Sequence, residues 1–101
     1  MANQKEDIND GIIMISAVHE VLRYRKEHPE LDNEKVLGRV MNLVQTKKGE
    51  KTKLLMITAA SKALSVAERN PRMDDKSIIR QVMAEFPSMF NIVGETINTK
   101  R

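Results

Sequence analysis

Cysteine and tryptophan are absent, and the aromatic count stops at one tyrosine and two phenylalanines. Without cysteine there can be no disulfide, no thiolate metal site and no Cys–His nucleophile pair. The scarcity of aromatics leaves no run of rings on which single-stranded bases could stack. Long hydrophobic stretches are missing too. Apolar runs are as short as Ile12-Ile13-Met14-Ile15, far below the roughly 20 residues that span a bilayer. The first ten residues, MANQKEDIND, lack the basic segment and apolar stretch of a signal peptide. The expectation is a cytoplasmic protein with no membrane partner.

Glycines stand at 11, 38, 49 and 94, too scattered to form a phosphate-cradling loop. His19-Glu20 opens like a zinc-binding HExxH helix, but position 23 is an arginine where the second ligand is needed. The position 42 residues after His19 is Ser61, so a polar residue on a helix face accounts for this histidine. No serine sits in a glycine-flanked nucleophile elbow. Asp74-Asp75 is explained as a helix cap and a dipole partner before a hard-cation pair is invoked. No catalytic residue, metal ligand or cofactor is expected, and the chain reads as a non-enzyme.

What is present is a helical pattern that occurs twice. The chain has 101 residues, 41% hydrophobic and 31% charged, with seven methionines. That size and composition fit one domain spanning residues 1–101. Residues 11–44 laid over 53–86 without gaps agree at eight of 34 positions, among them Met14/Met56, Leu22/Leu64, Pro29/Pro71 and Asp32/Asp74. Chance would give about two. Ile8, Ile12, Ile15, Val18 and Leu22 follow the helical period, and Met14, Ala17 and Val21 widen the stripe. The counterpart, Leu54 to Ala67, is equally apolar, so both helices should be central.

The turns match as well. Pro29 and Pro71 disfavour helical dihedrals at His28 and Asn70, which ends the first helices there. Asp32 and Asp74 stand where a short carboxylate accepts from the free amides of the next helix. Leu31 and Met73 precede those caps as hydrophobic staples toward Val36 and Ile78. The second helices are expected near 33–45 and 75–86, apolar on one face. Residues 45–52 form a polar connector around Gly49. The C-terminal segment, 87–101, is expected to hold a short fifth helix capped by Ser88. Asp7 and Asp10 are read as first-turn partners of the first helix dipole. The fold class is thus all-α: two tandem pseudo-symmetric helix–turn–helix hairpins plus a short C-terminal helix.

Two surfaces stand out as functional candidates. Phe86, Met89, Phe90, Ile92, Val93 and Ile97 concentrate apolar surface in a segment of low charge, which suggests a partner or dimer surface. Lys47, Lys48, Lys51 and Lys53 cluster in the connector of a chain of net charge +3. Such a cluster could neutralise phosphates without reading sequence. A helix–turn–helix reader of DNA is disfavoured, because each turn is longer than that motif prefers and acidic residues open the second helices. The sequence favours a protein–protein interaction module that associates with itself. The alternative is an accessory nucleic-acid-associated protein using the lysines.

Overall fold

The computed structural model describes residues 3–43 and 50–98, with side chains described over 10–42 and 50–92. Five helices and no strand occur among the described residues: α1 (Asn3–Glu27), α2 (Asn33–Leu43), α3 (Glu50–Arg69), α4 (Asp75–Ala84) and α5 (Phe86–Asn98). The chain is an all-α bundle. Its centre is the pair α1 and α3, which pack on each other; α2 and α4 each lean on both of them, and α5 covers α3 and the edge of α4.

Small residues set this arrangement. Ala17 on α1 and Ala59, Ala60 and Ala63 on α3 are fully buried, and without long side chains between them two helix axes can approach closely. Met14, Val18 and Val21 from α1, and Leu55 and Met56 from α3, fill what remains. Each fully buried aliphatic or thioether side chain contributes about 1.5–3 kcal/mol. Val36 and Val40 of α2, and Ile78 and Val82 of α4, close the core from outside.

The turns form as their residues dictate. Asp32 accepts the Lys35 N–H at 2.9 Å, and Asp74 accepts the Ser77 N–H at 2.8 Å; both are N-cap geometries. The N–H groups of His28 and Asn70 donate to the carbonyls of Tyr24 and Val66, and those of Leu31 and Met73 donate to the carbonyls of His28 and Asn70, all at 2.9–3.0 Å. Each of these bonds of the first turn therefore recurs 42 residues later. Leu31 and Met73 pack against the core as half-buried staples.

Contacts between the two hairpins follow the same offset. Lys26 on α1 pairs with Asp75 at 2.9 Å. Adding 42 to the first residue and subtracting 42 from the second gives Glu68 and Asn33, which also meet in a hydrogen bond. Asp10 and Thr52, themselves 42 apart, bond to each other. α1 and α3 therefore run side by side in the same direction, with Asp10 and Thr52 at one end and the two proline turns at the other.

The structure departs from the sequence expectations in five places. α1 starts at Asn3, so Asp10 lies in its third turn, buried, and does not partner the dipole from the first turn. The buried seam of α1 runs through Met14, Ala17, Val18 and Val21, leaving Ile12 58% exposed. α3 starts at Glu50, so Lys51 and Thr52, assigned to the connector, are helical. α4 ends at Ala84, short of residue 86. α5 starts at Phe86, before Pro87, so Ser88 lies inside the helix and does not cap it. Proline is tolerated there because the first turn has no use for its missing N–H.

Candidate functional site

Phe86 and Met89 turn inward, only 8% and 5% exposed, and Phe90 packs half-buried against the same core. The rings of Phe86 and Phe90 meet edge to face with centroids 6.5 Å apart. These three candidate partner residues are therefore covered by the chain's own helices. Ile92, one turn beyond Met89 on α5, is 60% exposed. Val93 and Ile97 lie outside the described side chains. The candidate surface thus divides: one stripe of α5 closes the bundle, and Ile92 remains outside.

Ile92 borders a groove of about 530 Å³ between α3 and α5. The α3 bank presents Ile57, Ser61, Lys62 and Ser65; the α5 bank presents Ser88, Met89 and Ile92, with Glu85 from the α4–α5 junction. Ile57 is 40% exposed. Lys62 and Glu85 bridge the groove at 3.4 Å, and both are partly solvated, so their pairing contributes little to stability. With Lys62 opposite Glu85 and Ile57 sharing the groove with Ile92, α5 runs antiparallel to α3. The apolar residues lie at one end and the ion pair at the other.

On the far side of Ser61 and Ser65 lies a second, smaller groove of about 310 Å³, walled by α2 through Asn33, Glu34 and Leu37. Three of its polar side chains are engaged internally. Asn33 donates to Glu68, and the Ser65 hydroxyl accepts from Arg69 at 2.9 Å.

The lysine cluster is only partly described. Lys51 and Lys53 stand on the first turn of α3, half-buried and exposed respectively; Lys47 and Lys48 lie outside the described residues. His19 is exposed on α1, while His28 stacks on Tyr24 at a centroid distance of 4.3 Å and lies 3.4 Å from Glu30. The described residues hold no group of three or more His, Asp or Glu side chains placed to bind a metal ion. No described helix is long and apolar enough to cross a membrane.

Sequence reasoning named Ile92 but missed Ile57, Lys62 and Glu85. Ile57 sits in an apolar helix where nothing local separates a core position from a rim. The pairing of Lys62 with Glu85, 23 residues apart, depends on where α5 returns. No protein-family model, curated protein or solved structure matches this chain.

Proposed function

We propose that the protein is a non-enzymatic protein–protein interaction module of the cytoplasm, and that its contact surface is the groove between α3 and α5. The observation carrying this reading is that two exposed isoleucines, Ile57 on the α3 bank and Ile92 on the α5 bank, line one groove together with Met89. Isolated exposed apolar residues are ordinary on a protein surface. Two that line one groove, with an ion pair at its other end, supply the apolar and polar contacts that a binding site combines. The sequence features support binding over catalysis, since they include no nucleophile, metal-ligand pattern or phosphate loop.

A photo-crosslinking side chain placed at Ser61, in the wall of the groove, tests this in cells. A control at Arg80, exposed on α4, reports surface collisions. The expected result is a discrete protein adduct from position 61 that disappears with Ile92→Asp and is absent from position 80. The same adducts from both positions, or none from position 61, would overturn the proposal.

A further inference from the structure

We infer that the occupant of the α3–α5 groove is a second copy of this chain, docked about a twofold axis that runs along the groove. This rests on the groove being the contact surface, and it names the partner. The argument is one of complementarity. The groove carries one cation and one anion, Lys62 and Glu85, at the same level on opposite banks. It also carries one exposed isoleucine on each bank, Ile57 on α3 and Ile92 on α5; with the helices antiparallel, a rise of about 1.5 Å per residue puts both on the same side of the ion pair at nearly one level. A twofold axis along the groove exchanges the banks and keeps the level. It therefore sets Lys62 against the mate's Glu85 and Ile57 against the mate's Ile92, with no like charges opposed. A closed twofold contact requires this self-complementarity.

Helix direction agrees. Because α5 runs antiparallel to α3, the exchange lays α3 of one copy antiparallel to α5 of the other. The result is a four-helix layer of two α3 and two α5 helices, a standard way to bury facing apolar stripes. The groove spans only a little over two turns of α3, from Ile57 to Ser65, so the contact belongs to the small, weak class of interfaces. Assembly should therefore depend strongly on concentration.

The test uses the purified full-length chain in sedimentation equilibrium from about 10 µM to 1 mM, the range in which weak dimers form. The parent chain should pass from monomer to dimer across that range. Ile92→Asp should remain monomeric with the parent's helical circular dichroism and melting temperature, showing that only the surface was lost. Lys62→Glu makes the groove doubly acidic and Glu85→Lys makes it doubly basic. Each variant alone should dimerise at least tenfold more weakly than the parent. Mixed in equal amounts they should recover a heterodimer, because every cross-interface pair is again of opposite sign. A parent chain that is monomeric at 1 mM, or variants that fail to associate when mixed, overturns the inference. A groove-specific adduct from position 61 to a different protein, with the purified chain monomeric, would leave the interaction module standing and remove only the second copy.

Discussion

Asp10 and Thr52 occupy equivalent positions in the two halves of the sequence, and they are each other's hydrogen-bond partners. The Thr52 hydroxyl donates to an Asp10 carboxylate oxygen at 3.1 Å, with both residues buried between α1 and α3. Thr52→Val keeps the shape and removes the donor, so Asp10 loses the one side-chain partner described for it. Leaving a buried acceptor unsatisfied costs about 1–3 kcal/mol. Urea denaturation should show that loss, and adding Asp10→Leu should recover part of it. Equal stability of parent and Thr52→Val would mean that the carboxylate is solvated.

Met14 and Met56, another pair 42 apart, are 0% and 1% exposed. Met14→Asp and Met56→Asp should each destabilise by roughly 3 kcal/mol or more, since each buries an unpaired carboxylate. Thermal melts that show one substitution to be mild would break the equivalence of the two central helices.

The Asp74 carboxyl is held below the ordinary carboxylate range, first by its hydrogen bond with Ser77 at the start of α4. A depressed folded-state pKa means stabilisation that is present above the unfolded value and lost as pH falls through the folded one. The gap in melting temperature between parent and Asp74→Ala should therefore be open at neutral pH and close on acidification below about pH 4. A gap unchanged down to pH 2 would show that the cap acts without its charge.

Truncation after Ser88 removes Met89 and Phe90 from the core and should lower the melting temperature markedly at every protein concentration. Ile92→Asp, at an exposed position, should change stability by no more than about 0.5 kcal/mol. If both changes proved equally damaging, Ile92 would belong to the core.

Replacing Lys47, Lys48, Lys51 and Lys53 by glutamine tests the nucleic-acid alternative. Under the proposed function, the parent should show no binding to duplex DNA or single-stranded RNA at about 0.15 M salt, the physiological level. Binding that weakens steeply with salt and vanishes in the variant would move the lysines to the centre of the function.

The parts of the fold readable from sequence are those governed by neighbours in the chain. Asp32 and Asp74 cap because a carboxylate three residues before an amide reaches it whatever else the protein does. Pro29 and Pro71 act on the residue before them. The start of α5 lies ahead of the expected Ser88 cap because Pro87 fits the helix's first turn. Asp10 differs from its expected role for a related reason: with the helix starting at Asn3, its side chain meets α3 and not the helix end. The groove was the least legible feature. Whether Ile57 is core or rim, and whether Lys62 meets Glu85, depends on the path of α5 over α3, which no local pattern encodes.

Tyr24 is the chain's one tyrosine, there is no tryptophan, and the ring lies stacked on His28 at the end of α1. Near-ultraviolet absorbance and emission therefore originate almost wholly at the first proline turn, whereas the far-ultraviolet signal averages all five helices. The protein thus carries a built-in optical reporter for one hairpin only. Unfolding curves recorded at the two wavelengths will coincide if the hairpins melt as one unit. They will separate if the first hairpin opens while the second, held by α5, stays folded.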